Sequence, residues 1–190
     1  MRPISIGTGV ELLDIFWPEF FEIDGCVLVS TTNDPAYTLK AGYNRTETEA
    51  FLNHFHIADD FNHKAERESA NDANEYFDDA HPDFQLLCKM GKAVAQMWFR
   101  KLSLDFPAYD FRVYYTQYDN PIVRFHRIRP DERNWIEDDD PRSAEAVEYG
   151  EMVIYDTRAE PTKPNTYKQT GRKLNRFVVS QRLGTFRSRR

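Results

Sequence analysis

The chain holds only two cysteines, Cys26 and Cys88, and they stand far apart. No Cys-x-x-Cys pair is present, so neither a zinc knuckle nor a thioredoxin-like redox pair is indicated. Each cysteine sits in an apolar run, and the expected state is a buried, reduced thiol. No apolar run approaches the ~20 residues needed to span a bilayer. The opening Met-Arg-Pro-Ile-Ser-Ile-Gly lacks the apolar core of a signal peptide. These absences point to a soluble, cytoplasmic protein with no membrane partner, in which the sequon at Asn44-Arg45-Thr46 carries no meaning. The chain also lacks a Walker loop, a dinucleotide-binding glycine pattern, a Gly-x-Ser-x-Gly elbow and a His-Glu-x-x-His pair. No residue is therefore assigned a catalytic role, and no organic cofactor is implied. No internal repeat or low-complexity tract is found.

One further absence is local. The last thirty residues contain no Asp or Glu, yet they carry nine basic side chains. The other 160 residues hold sixteen Lys and Arg against thirty-one Asp and Glu, a net of −15. The overall −6 is a cancellation between two unlike parts. The expected organisation is an acidic globular domain over residues 1–160 and a basic C-terminal extension over 161–190. Such a split creates a field across the molecule and suits a polyanion or an acidic protein surface.

What the acidic part does contain is aromatic. Fourteen Phe, ten Tyr and three Trp give it apolar area enough to offset the entropy of ordering. The capping pattern at Thr8 predicts a short helix over about residues 9 to 17. Asp24-Gly25 between Phe20–Ile23 and Cys26–Val29 predicts a hairpin, because both turn positions favour positive φ. Tyr37 to Tyr43 reads as a weak strand, and Thr46 with Glu49 as a second capping box. Residues 58 to 80 read as a loop followed by an acidic surface helix.

The strongest helix starts at His81-Pro82-Asp83 and stops at Asp105-Phe106-Pro107, with Phe84, Leu87, Cys88, Val94, Ala95, Trp98 and Leu102 along one stripe. Phe111–Tyr118 and Ile122–Arg129 read as paired strands joined by Asp119-Asn120-Pro121. Residues 131 to 146 form an acidic loop around Trp135, and Glu151–Asp156 is a further strand. Pro161 and Pro164 mark a linker, and Phe177-Val178-Val179 is the one strand-like segment of the extension. Strands and helices come in groups without βαβ alternation. The fold class is therefore α+β: a mainly antiparallel sheet with a long central helix packed on one face.

Three groups of residues qualify as sites. His56, Asp60 and His63 stand at i, i+4 and i+7, which would share one face and suit a divalent metal if the helix after Thr46 ran that far. His54 and His56 lie about 200° apart on such a helix and do not share a ligand. On the predicted hairpin, alternation puts Val113, Tyr115, Val123 and Phe125 toward the core. Tyr114, Tyr118, Arg124 and His126 then form an opposite aromatic-basic face, of the kind that holds bases or anionic ligands. In the extension, Arg172, Lys173, Arg176, Arg182 and Arg187 are the partner-binding candidates.

The leading expectation is a non-enzymatic interaction protein. Its basic arm engages nucleic acid, an acidic protein or a second copy of the chain. The alternatives are a metal-dependent hydrolase or nuclease built on the His/Asp cluster, and an immunity-like inhibitor. The inhibitor's acidic surface would draw on Asp59, Asp60, Asp78, Asp79, Asp138, Asp139 and Asp140.

Overall fold

In the computed structural model the described residues are 3–30, 33–65, 77–117, 120–136 and 140–157. The longest helix, α4 (Pro82–Asp105), begins as expected: the His81 ring accepts from the Asp83 N–H, and Pro82 occupies the first turn. Its buried residues are Phe84, Leu87, Cys88, Gly91, Val94, Ala95, Trp98 and Leu102, a stripe at helical spacing. That stripe covers one face of a four-stranded antiparallel sheet. Its strands are β3 (Phe55–His56), β4 (Phe111–Thr116), β5 (Ile122–Arg127) and β6 (Met152–Asp156), in the order β3-β5-β4-β6. The class is α+β with the long helix on the sheet.

Strand alternation fixes what faces the helix. Val113, Tyr115, Val123 and Phe125 enter the core as expected, and all are fully buried. Trp98 meets Phe125 edge-on at 6.0 Å between centroids, and Phe20 meets both rings. Gly91 lets α4 approach this closely, since a Cβ there would stand 2.6 Å from Tyr115 Cε2.

A separate hairpin joins β1 (Phe21–Ile23) and β2 (Cys26–Leu28), paired antiparallel. Its turn residues Asp24 and Gly25 have φ of 51° and 76°, the left-handed geometry expected of Asp-Gly. Cys26 and Cys88 are both free and buried, as anticipated.

Several local readings differ. Helix α1 (Ile6–Phe16) is capped by Ser5, whose hydroxyl accepts from the Thr8 N–H, so it starts three residues earlier than expected. The segment from Tyr37 is helical: α2 (Pro35–Lys40) starts from an Asp34 cap with Pro35 in its first turn. The capping box of α3 (Arg45–Leu52) is Asn44 with Glu47, which leaves Glu49 for another purpose. Helix α3 also stops at Asn53. The chain then becomes β3 and a 3-10 turn, Ile57–Asp60. The acidic loop contains a helix, α5 (Pro141–Glu148), capped by Asp140. The sheet strands end at Thr116 and Arg127. The expected acidic surface helix falls mostly on residues 66–76. That segment, the 161–164 linker and the strand-like 177–179 lie outside the described residues.

Candidate functional site

The sheet face away from α4 carries the polar chemistry. Register places Tyr114 opposite Arg124 and Arg112 opposite His126, while β6 sets Asp156 beside Arg112. Alternation therefore gathers Arg112, Tyr114, Arg124, His126 and Asp156 on one side, the aromatic-basic side that the sequence marked out.

Two side chains hold the surrounding frame. Asn53 accepts from the Val29 N–H (3.0 Å) and donates to the Val27 carbonyl (2.8 Å), which ties the end of α3 to β2. Glu49, fully buried, accepts from the Val27 N–H (2.8 Å) and the Arg127 N–H (2.7 Å). Arg129 donates to it in bidentate fashion, Nη1 to Oε2 and Nη2 to Oε1, both at 2.8 Å. Arg129 Nη2 also donates to the Gly25 carbonyl at 2.9 Å. One ion pair thus ties α3, the β1–β2 turn and the end of β5. Burial pushes the Glu49 carboxyl up, and Arg129 with the two amides pulls it back. Every contact to Glu49 comes from an N–H donor, which is the setting of an ionised carboxylate. Burial works against the Arg129 charge as well, but Glu49 outweighs it and its pKa stands above the usual value.

His126 is the second organising group, and its environment selects one tautomer. The Arg127 carbonyl lies 3.0 Å from Nδ1, so Nδ1 carries the proton and donates. Nε2 is left as an acceptor, for the Tyr114 hydroxyl at 2.9 Å and the Trp135 N–H at 3.3 Å. Burial, above all, pulls the His126 pKa down to about 4, so the ring is neutral at pH 7. A neutral imidazole therefore pins the backbone of Trp135 over the sheet face.

The indole so placed receives Arg124. Its guanidinium carbon lies 4.9 Å from the centroid of the Trp135 ring. Arg112 is paired with Asp156 at 2.7 Å, and Arg129 with Glu49. Arg124, half-buried, makes no ion pair and no hydrogen bond with any described residue. Burial pulls its pKa down to about 10, still far above neutrality, so it remains a cation. No family model, no curated protein and no solved structure matches the chain. The reading of this face therefore rests on its geometry.

The sequence-predicted residues distribute as follows. Tyr114 and His126 are both buried and are bonded to one another, so neither ring offers a stacking surface. Arg124 is where alternation put it, and Tyr118 lies outside the described residues. His56 is on β3, Asp60 ends the 3-10 turn, and His63 lies beyond it, so the helix that was to align them is not formed. Among the described residues no group of three or more His, Cys, Asp and Glu draws together as a metal site. His56 instead meets Asn120 Nδ2 at 3.1 Å, and burial, then His54, holds its pKa below the usual value. Arg172, Lys173, Arg176, Arg182 and Arg187 lie outside the described residues. No helix among the described residues is long and apolar enough to cross a membrane.

Sequence reading missed Glu49 and Arg129. The only local signal was a carboxylate beside Ala50, Phe51 and Leu52, where an apolar residue would be ordinary. Trp135 was noted within its loop, but nothing in the sequence placed it over Arg124.

Proposed function

We propose that this chain is a non-enzymatic interaction protein whose basic C-terminal segment, through Arg172, Lys173, Arg176, Arg182 and Arg187, engages an acidic protein surface. The observation that carries the reading is the charge division: nine bases and no acid in the last thirty residues, against −15 in the rest. A protein partner is favoured over nucleic acid by helix α1. Its Ile6, Val10 and Leu13 recur at helical spacing and are exposed, as is Trp17 at its C-cap, while Ile15 and Phe16 pack on the core. An exposed apolar stripe of this kind suits a protein surface and contributes nothing to phosphate binding.

The test is capture from lysate, and binding to single-stranded oligonucleotide, at low and moderate salt. The full chain is compared with a 1–160 chain and with a full-length variant in which the five named bases are Gln. The reading expects an acidic protein to be retained by the full chain and lost from both variants, with binding that weakens as salt rises. Equal retention by all three chains removes the basic segment from the mechanism. Retention of oligonucleotide alone moves the partner to nucleic acid.

A further inference from the structure

The sheet face contains an arginine that makes no ion pair or hydrogen bond with any described residue. Arg129 and Arg112 each face a carboxylate, at 2.8 and 2.7 Å. Arg124 sits on the same face, half-buried, with no ion pair to any described residue; the phenol of Tyr114 favours its charged form. A cation withdrawn from water without a counter-ion lowers stability, because lost hydration is not replaced. The indole returns part of that loss through its π face. Trp135 is 38% exposed, so the contact is reachable from solvent. The ring contact engages the cation's charge and none of its five N–H donors. Those donors form a fork that matches two oxygens of a phosphate or a carboxylate.

The fork is also held in place. Tyr114 stands across from Arg124 in the β4–β5 register, its hydroxyl fixed on His126 Nε2. The Trp135 N–H is fixed on the same nitrogen, so the residues flanking the guanidinium on two sides share one anchor. His56 lies close enough for Arg124 to oppose its protonation, after burial and His54, while Asp59 acts the other way. Pre-organised donors, an uncompensated charge and an accessible rim are what an anion-binding site requires.

We propose that Arg124, backed by Trp135 and flanked by Tyr114, is the anchor of a binding site for a small oxyanion, the phosphate or carboxylate group of a low-molecular-weight ligand. The site is distinct from the basic C-terminal segment and does not depend on that reading.

The full-length protein is titrated with inorganic phosphate and, separately, with acetate, each against sodium chloride at equal ionic strength. The expected result is a saturable rise in Tm of roughly 2–4 °C with at least one of the two anions, absent in Arg124→Met. Which anion acts distinguishes a phosphate from a carboxylate ligand. Without anion, Arg124→Met is expected to unfold at or above the wild-type temperature, because a charge without an ion-pair partner among the described residues has been removed. In the wild type, the Trp135 indole N–H resonance should shift along the same titration, a readout that requires no variant. Three results would overturn the proposal. One is an equal response of wild type and Arg124→Met, which assigns the effect to other basic groups. Another is a clearly lower Tm for Arg124→Met without ligand together with no shift at Trp135. The last is a response to single-stranded oligonucleotide with none to either small anion.

Discussion

Arg124, within β5, and Arg129, just past its end, stand five residues apart, and both are withdrawn from water. Arg129 meets Glu49 in bidentate fashion and also bonds the Gly25 carbonyl. Arg124 meets an indole face. The first arrangement closes three elements on one another, and its value lies in what would be left if it were broken. The second leaves its donors unmatched by any described residue, which is the basis of the proposed anion site. A buried charge is therefore not one kind of feature. Whether it is structural or functional is decided by who accepts its hydrogen bonds.

The comparison is tested most severely at Arg129. Arg129→Met leaves Glu49 fully buried with its charge uncompensated, and the expected loss is about 3–5 kcal/mol of unfolding free energy in urea. The double variant Glu49→Leu, Arg129→Met removes both charges and should recover much of that loss. If Arg129→Met were as stable as Arg124→Met, the distinction between the two arginines would disappear.

Acid gives the next largest effect and acts on His126, which holds Tyr114 and the Trp135 backbone beside Arg124. His126 has a pKa of about 4 in the folded chain, against an ordinary value near 6.5. Between these values the unfolded chain binds a proton that the folded chain refuses, so stability falls as pH falls through the window. The loss is complete near pH 4 and amounts to roughly 3 kcal/mol, at about 1.4 kcal/mol per pH unit. His56, also depressed by burial, adds in the same direction. Protonation at Nε2 removes the acceptor used by the Tyr114 hydroxyl and the Trp135 N–H, so the Trp135 loop should loosen first. His126→Gln should lose stability at pH 7 and show a smaller fall between pH 6.5 and 4, as read from urea midpoints across pH. An unchanged fall in that variant would place the titration elsewhere.

Between the two extremes lies Arg112, paired with Asp156 across the β4–β6 ladder and 6% exposed. Asp156→Asn keeps the shape and removes one charge. The expected loss is about 1–2 kcal/mol, below that of Arg129→Met because the Asp156 side of the pair is nearer the sheet edge.

The sequence disclosed this face unevenly, and the reason is distance along the chain. Asp24-Gly25, the His81-Pro82 start and the alternation of 111–116 with 122–127 are local signals, and each formed as read. Local signals failed where a distant partner competed. Thr46-x-x-Glu49 has the form of a capping box, but Glu49 is taken by Arg129, eighty residues on, and Asn44 with Glu47 makes the cap instead. The helix expected to continue through His56 ends because Asn53 is engaged by the backbone of Val27 and Val29. Alternation placed Tyr114, Arg124 and His126 on one side correctly. It did not reveal that two of them satisfy each other, or that Trp135 closes over the third.

The smallest expected effect isolates that closure. Trp135→Ala removes the ring from Arg124 while leaving the backbone N–H that bonds His126. Because the indole is partly exposed, the stability loss should be only about 1 kcal/mol. A double-mutant cycle of Trp135→Ala with Arg124→Met, read by urea unfolding, should return a coupling of roughly 0.5–1 kcal/mol. The sign matters more than the size. A favourable coupling means the ring offsets part of the penalty of withdrawing the Arg124 cation from water, and Trp135→Ala should then cost less in the Arg124→Met background than in the wild type. A coupling of zero would mean that the ring sits over Arg124 without stabilising it. The indole would then be a lid on the sheet rather than the back of a cation's socket.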